Sequence, residues 1–325
     1  TEHNGSLQKA KELIAAAKES GADAVKFQIV YADEILHPDT GFVNLPTGRI
    51  PLYERFRELE CSIDFYAELA QYAHKCGMLF SASAFGLRSA DELRQLNPAF
   101  IKIASPELNH FPLLERVASF GLPVILSSGV SMLGDIERAI RCLETCGLPA
   151  DMRALLHCVT AYPAPETDYN TAVLQSLSAL FNSPVGISDH SLDSAAVPIA
   201  GLLCDACIIE KHICLSRNDS GLDDPVALEP AQFLLMSSIV RNLAGKSNED
   251  IFNAAETYGY SKDFLRHIIG GGEKKLAAAE KDNYGKTNRS LHYIKDLQKG
   301  AVLKEGDVAV LRTEKNLTAG ESPDY

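Results

Sequence analysis

Apolar and polar positions follow one repeating unit along most of the chain. An amphipathic stretch ends at a glycine, and a short apolar run begins within a few residues, as in AKESGADAVKF (17–27), AHKCGMLFS (73–81) and ASFGLPVILS (118–127). Glycine supplies the left-handed residue that ends a helix, and continuous apolar runs are typical of strands buried on both faces. Each unit therefore predicts a helix followed by a strand of a parallel sheet.

Seven apolar runs are predicted to be strands: Ala24–Gln28, Met78–Ala82, Phe100–Ala104, Pro123–Ser127, Arg153–His157, Val185–Ser188 and Cys207–His212. The segments between them predict helices, among them Ser6–Ser20, Ile63–Lys75, Met132–Cys146 and Asn170–Phe181. An open doubly wound sheet would be favoured by a nucleotide-binding glycine fingerprint, but Gly270-Gly271-Gly272 follows no predicted strand. We therefore predict a TIM-type (β/α)8 barrel and place its remaining, first strand before Thr1.

The composition changes after about residue 245. Lys274–Lys281 predicts a short helix, and the runs in RSLHYIKDLQKGAVLKEGDVAVLRT (289–313) predict short strands separated by glycine turns. The predicted organisation is a barrel over 1–281, a linker over 282–288 and a partial β-rich domain over 289–325, which leaves little room for a core.

Charge and cysteine content narrow the class of function. The formal net charge is −12, from 31 basic and 43 acidic residues. This balance argues against a nucleic-acid or membrane partner, because both need a basic face. No apolar run is long enough to span a membrane. The Cys204–Cys207 pair has no second pair at zinc-ribbon spacing, so we expect buried, reduced thiols and a cytoplasmic protein.

Lysines and hydroxyls gather where function is expected in such a barrel, at the carboxyl ends of the strands. Lys26 and Lys102 each interrupt an apolar run, which is costly unless a carboxylate or a bound anion compensates the charge. A structural salt bridge explains either lysine alone. Both lysines together with strand-end serines favour a phosphate or carboxylate pocket, and a Schiff-base lysine ranks second.

Two histidines follow adjacent predicted strands. His190 and His212 are expected to lie a few ångströms apart at the mouth, where two imidazoles with a carboxylate suit Mn²⁺, Fe²⁺, Zn²⁺ or Mg²⁺. His157 is predicted to be structural. The other histidines considered carry no prediction beyond surface chemistry: His3, His37, His74, His267 and His292.

Six motifs in order resemble the sialic acid synthase family, which comprises bacterial N-acetylneuraminate synthases and their legionaminate and pseudaminate relatives. They are HNGSLQKAKELIAAAKESGADAVKFQ (3–28), FIKIASPELNHFPLL (100–114), LSSGV (126–130), LHCVTAYPAP (156–165), GISDHS (186–191) and IIEKHICLSRNDSGLDDPVALEP (208–230). The tail RSLHYIKDLQKGAVLKEGDV (289–308) resembles the antifreeze-like (SAF) domain that ends these enzymes.

The resemblance implies condensation of phosphoenolpyruvate with N-acetylmannosamine or a related N-acetyl hexose, with C–O cleavage and release of phosphate. The implied phosphoenolpyruvate contacts are Lys26, Ser83, Lys102, Ser105, Ser127, Thr160 and Ser188. The implied sugar contacts are Gln28, Glu107, Tyr162 and Asp223. His190 and His212 would bind Mn²⁺ or Mg²⁺, and the catalytic set would be completed by Lys26, Lys102 and Glu107. Arg289, with Phe264 at the same rim, would reach the partner's site in a domain-swapped homodimer.

Three departures from the family pattern stand out. The family pattern is E-I-G-x-N-H-N-G, and this sequence begins at Thr1, after the E-I-G portion. Glu2 replaces the asparagine before His3, and Thr160 replaces another asparagine. The two substitutions are compatible with a subfamily that uses a different sugar. Within the family, the alternative is a legionaminic or pseudaminic acid synthase that acts on a diamino-dideoxy hexose. Two alternatives from other classes are a Schiff-base pyruvate aldolase and, from the tail alone, a carbohydrate-binding module.

Overall fold

The computed structural model describes residues 2–45, 48–314 and 316–323. Its main sheet has seven parallel strands in the order β1-β4-β5-β6-β7-β8-β9. Their bounds are β1 Ala24–Ile29, β4 Leu79–Ala84, β5 Phe100–Ile103, β6 Val124–Ser127, β7 Arg153–Cys158, β8 Val185–Asp189 and β9 Ile208–Lys211. Each predicted strand is therefore confirmed, with its ends correct to within two residues.

The helices that follow these strands cover the sheet. Their bounds are α1 Leu7–Glu19, α2 Ala32–Ile35, α3 Leu52–Glu58, α4 Ile63–Lys75, α5 Leu87–Gln95, α6 Phe111–Ala118, α7 Leu133–Thr145, α8 Val173–Phe181, α9 Ala196–Leu202, α10 Pro230–Leu243, α11 Asn248–Thr257 and α12 Lys262–Ile269. Serine hydroxyls cap the amino ends of α1, α4, α11 and α12. Such caps satisfy free backbone N–H groups and fix where a helix starts. The prediction for Ile63–Lys75 is confirmed at both ends.

The sheet is curled, so that its two edge strands approach each other. β1 and β9 are the edges, yet Lys26 Nζ of β1 lies 3.2 Å from Glu210 Oε2 of β9. A cavity of about 610 Å³ lies between these edges, and its apolar lining includes Leu13 of α1, Phe27 of β1 and Phe233 of α10. The architecture is a half-barrel of the TIM-like type, with the carboxyl ends of its strands at one mouth.

Two elements differ from the prediction. Lys274–Lys281 is not an α-helix, because only Ala278–Glu280 form a single 3-10 turn. The hairpin of β2 Phe42–Leu45 and β3 Gly48–Pro51 was not predicted. It projects from the segment between β1 and α4, outside the repeating unit on which the prediction depended.

The C-terminal part is β-rich, as predicted. β10 Arg289–Tyr293 pairs antiparallel with β11 Val308–Arg312. This two-stranded sheet contacts the barrel through α2, where Leu36 forms a bridge with Arg312. Residues 289–312 therefore cover part of the mouth of the same chain.

Two further findings concern the exposure of the cysteines and the search for membrane-spanning helices. All eight cysteines are free, and most are buried or half-buried, although Cys146 and Cys207 are exposed, against the expectation of buried thiols. Within the described residues, no helix is long and apolar enough to cross a membrane.

Candidate active site

A half-buried carboxylate lies between the two predicted lysines. Glu210 of β9 lies 3.2 Å from Lys26 Nζ and 3.9 Å from Lys102 Nζ, and it accepts a hydrogen bond of 2.8 Å from Ser188 Oγ. Burial raises the pKa of Glu210, but the charges of Lys102 and Lys26 outweigh it and hold this pKa well below its usual range. The structural salt bridge considered for each lysine is thus observed. However, two ammonium groups share one carboxylate, so a net positive charge remains that could attract an anion.

Lys102 is the most enclosed of these cations, with 1% of its surface exposed. Its Nζ donates to Ser127 Oγ at 2.7 Å and to the carbonyl of Ile103 at 3.0 Å. Burial lowers the pKa of Lys102 to about 8, and Glu210 opposes this shift. An ammonium so buried is stabilised when an anion binds beside it.

Hydroxyl groups face the same region. Ser83 Oγ and Thr160 Oγ1 are buried and have no hydrogen-bond partner in the part of the chain that is described. Ser105 Oγ accepts from the backbone N–H of Gly129 at 3.0 Å. A Cβ on Gly129 would lie 2.1 Å from Thr160 Oγ1 and 2.9 Å from Ser105 Oγ, so only glycine fits. Buried hydroxyls without partners are costly unless a ligand satisfies them, which favours a bound oxyanion.

The two predicted histidines lie together. The ring centroids of His190 and His212 are 5.6 Å apart, and Tyr162 stacks on His190 at 4.3 Å. Burial lowers the pKa of His212, but the hydrogen bond with Glu2 and the charge of Asp223 outweigh it and raise this pKa.

The donor set at these histidines fits a divalent metal. One ligand atom each from Glu2, His212 and Asp223 lies within 4.8 Å of the others, and His190 is adjacent. A mixed set of imidazoles and carboxylates suits Mn²⁺ better than Mg²⁺, which prefers oxygen ligands.

Arg289, which is expected to reach a partner's site, makes a full set of contacts within its own chain. Arg289 lies against its own barrel, with Nη1 donating to the carbonyls of Glu34 and Val310 and Nη2 to that of Phe85. Its Nη2 also contacts Glu107 Oε1 at 3.1 Å, and both side chains are fully buried. In this chain Arg289 therefore clamps β10 onto the mouth.

Arg312 was missed by the sequence analysis. Its Nη2 lies 2.7 Å from Glu107 Oε1, and its side chain is 13% exposed at the mouth, so it contacts a predicted sugar ligand while remaining accessible. No local pattern could have revealed this contact, because it depends on how β11 packs over the barrel. Glu210 and Glu2 were also given no role. Glu210 stands close to His212 in sequence, whereas no predicted site residue adjoins Glu2.

The segment after the barrel holds two mouth loops in place. Glu280 Oε1 accepts from the backbone N–H groups of Val130 and Thr160, and Asn288 donates to the carbonyl of Val130. Val130 has φ 42, a conformation that is strained for a β-branched residue. These contacts from 280–288 therefore stabilise the loops after β6 and β7, which carry Gly129 and Thr160.

Most predicted residues are brought together, with some exceptions. Phe264 is 37% exposed on α12, which contacts both α9 and the turn Glu166–Asp168 after β7, and its place at the rim stays a prediction. His157 is buried and bonded to the carbonyl of Tyr169, which confirms its structural role. The expectation of surface histidines is wrong for His3 and His292, which are buried by packing against the barrel and within the small sheet.

The fold and the site define a TIM-like parallel α/β protein with a cluster of lysines and hydroxyls and a histidine pair at its mouth. The NeuB family model matches residues 13–250, and the chain belongs to this family. An N,N'-diacetyllegionaminic acid synthase of Campylobacter jejuni is 32% identical over 98% of this chain and 89% of the relative. A pseudaminic acid synthase of Helicobacter pylori is 30% identical over 97% of this chain and 86% of its own.

A solved structure agrees with the family. The crystal structure of spore coat polysaccharide biosynthesis protein SpsE from Bacillus subtilis matches with a TM-score of 0.81 and 31% identity, covering 99% of this chain and 85% of that one. The relatives that bear an activity in their names are synthases, so an enzyme of the NeuB family is indicated.

Proposed function

We propose that this protein condenses phosphoenolpyruvate with an N-acetylated hexose, releasing phosphate and forming a nonulosonic acid. The observation that carries the proposal is the adjacency, at one mouth, of a buried cationic pocket and a histidine pair. The first suits a phosphorylated carboxylic acid, and the second suits a metal that binds a sugar carbonyl. The names of the synthase relatives support the same chemistry.

The cationic pocket would hold phosphoenolpyruvate. Lys102 and Lys26 supply positive charge for the phosphate and carboxylate, and Ser83 and Thr160 offer hydroxyls without partners among the described residues. The remaining proposed contacts are Ser105, Ser127 and Ser188. Since this pocket is enclosed, its lysines act in a region of low dielectric, where their attraction for an anion is strong.

The acceptor sugar would lie beside the histidines, in contact with Gln28, Glu107, Tyr162 and Asp223. His190 and His212 would hold Mn²⁺ or Mg²⁺. When bound, the metal polarises the aldehyde of the open-chain sugar. Tyr162 covers His190 by stacking and is half exposed, so it provides an apolar wall next to that aldehyde.

The reaction joins C3 of phosphoenolpyruvate to the sugar aldehyde carbon. The π electrons of the C2=C3 double bond form the new bond, which leaves C2 electron-poor. Water adds to C2, and the C2–O bond to phosphate then breaks. Lys102 and Lys26 would stabilise the departing phosphate by charge. Arg312 and Glu107 would orient the sugar hydroxyls, since both contact each other at the mouth.

A phosphate-release assay tests the proposal. Phosphate should appear only when phosphoenolpyruvate, an N-acetylated hexose and Mn²⁺ are all present, and His190→Ala and His212→Ala should each abolish turnover. His267→Ala, which changes an exposed histidine of α12, is the matched control. Equal phosphate release without sugar would contradict condensation, and substantial activity in either variant would contradict the two-histidine site. Mass spectrometry of the product with a panel of hexoses identifies the acceptor.

A Schiff-base pyruvate aldolase is the second candidate, favoured by one observation. The pKa of Lys102 is lowered by burial to about 8, which increases the fraction of nucleophilic amine. Borohydride trapping of pyruvate on Lys102 would support this candidate and contradict condensation.

We further propose that residues 289–325 are a SAF domain and that the protein is a homodimer with exchanged C-terminal domains, as the resemblance implies. Arg289, which clamps its own barrel in the single chain, would make the same contacts with the partner's barrel. Light scattering coupled to size exclusion checks the dimer.

A further inference from the structure

One carboxylate at the histidine pair has no role in the proposed function. Glu2 Oε1 lies 2.9 Å from Nδ1 of His212, and the side chains are only 16% and 18% exposed. We propose that Glu2 is a positioning residue that fixes the tautomer and basicity of His212 and thereby strengthens metal binding by the His190–His212 pair. This inference depends on the metal site in the proposed function.

The backbone around Glu2 is held firmly enough for such a role. His3 packs against Phe65, with ring centroids 5.1 Å apart, and its Nδ1 accepts from the N–H of Gly5 at 3.1 Å. On the other side, a Cβ on Gly221 would lie 3.0 Å from the Cα of Glu2. Glu2 is thus confined between α4 and the loop after β9, with its carboxylate directed at His212.

The hydrogen bonds of the two histidines follow one pattern. His190 Nδ1 lies 2.9 Å from the carbonyl oxygen of Val159, which can only accept, so Nδ1 carries the proton and Nε2 keeps its lone pair. Glu2 presents an ionised carboxylate, also an acceptor, to Nδ1 of His212. Both imidazoles therefore keep Nε2 as the ligand atom, and metal-binding histidines commonly have such oxygen partners.

The charge of Glu2 distinguishes it from Val159. A carboxylate that accepts the Nδ1 proton makes the opposite nitrogen a stronger base, whereas a carbonyl does so less. Glu2 stands where the resembled family has asparagine, so this chain has a carboxylate where a neutral amide is usual. We therefore expect tighter metal binding from Glu2 than from asparagine at this position.

A competing arrangement uses Glu2 as a direct ligand. Glu2, His212 and Asp223 could bind the metal themselves, since their ligand atoms lie within 4.8 Å of one another. In that arrangement one nitrogen of His212 joins the two carboxylates, and His190 is not among the ligands. The matched acceptor pattern on both histidines favours the positioning role, and the number of nitrogen ligands separates the two.

Mn²⁺ titration of the purified full-length protein, followed by electron paramagnetic resonance of the free ion, tests the proposal. Glu2→Ala should raise the Kd for Mn²⁺ by about 10–100-fold, the usual effect of removing an outer partner of a ligand histidine. Glu2→Asn and Glu2→Gln, which keep an acceptor without charge, should fall between wild type and Glu2→Ala. Glu12→Gln, which changes an exposed carboxylate of α1, should leave the Kd unchanged.

Electron spin echo measurements on bound Mn²⁺ should show two histidine nitrogens in wild type and in Glu2→Ala. An unchanged Kd in Glu2→Ala overturns the inference and leaves the proposed function intact, provided that wild type still releases phosphate with Mn²⁺. One nitrogen in wild type, with full affinity retained in His190→Ala, overturns it in favour of direct ligation. A wild-type protein that binds no Mn²⁺ overturns both the inference and the metal-dependent function.

Discussion

The protonation of Lys102 should control the affinity for phosphoenolpyruvate. Lys102 is 1% exposed, and burial lowers its pKa to about 8. Below this pH its ammonium attracts the phosphate, and above it the neutral amine does not. At pH 9 about nine-tenths of the free protein has the neutral amine, so the Kd should rise about tenfold per pH unit above 8.

Calorimetric titration with phosphoenolpyruvate between pH 7.5 and 9.5 measures how the Kd depends on pH. This range lies above the second ionisation of the phosphate, near pH 6, so the charge of the ligand stays constant. The bound anion raises the pKa of Lys102, so the fall in kcat should begin at higher pH than the fall in kcat/KM. The Lys102→Met variant has a side chain of similar length without an ionisable group. This variant should bind phosphoenolpyruvate roughly 10–100-fold more weakly than wild type, if a charge-assisted hydrogen bond of about 1.5–3 kcal/mol is lost. Its Kd should not rise with pH above 8.

Two results would refute this reasoning. A Kd that stays constant in wild type up to pH 9.5 would show that Lys102 keeps its proton or does not contact the ligand. The same slope in wild type and Lys102→Met would assign the titration to another group. Circular dichroism should establish that the variant is folded before either conclusion is drawn.

Three further substitutions test the contacts of Arg289 with the barrel, the packing of the main sheet at Gly186 and the contact of Arg312 with the sugar. Arg289→Met leaves Glu107 with Arg312 as its remaining partner, so the free energy of unfolding should fall by about 1.5–3 kcal/mol in denaturant titrations, and hydrogen exchange should speed up in β10. Gly186→Ala places a Cβ 2.3 Å from the carbonyl oxygen of Ile208 and should cost about 1–3 kcal/mol, seen as a lower Tm. Arg312→Met should raise KM for the sugar while leaving KM for phosphoenolpyruvate unchanged; the reverse would move Arg312 out of the sugar site.

Local sequence was sufficient for the main sheet. The apolar runs located all seven strands, and for four of them a glycine that ends the preceding helix gave a second signal within the same unit. Before the other three strands the left-handed residue is Asn97, Asn182 or Asp205. Lys102, Ser127 and His190 were found for the same reason, because strand ends are readable from the chain and parallel strands bring their carboxyl ends together. The hairpin of β2 and β3 was missed because it lies outside that repeat.

The sequence by itself therefore determined the parallel fold and the mouth where its chemistry gathers. Only the tertiary structure decided which charges meet there. Glu210 contacts Lys26 because the sheet curls until its edge strands approach, and Glu2 reaches His212 across a sequence separation of 210 residues. Arg289 meets Glu107 because the small sheet packs over the mouth. These pairings depend on curvature and packing between distant segments, which no periodicity within a single segment records.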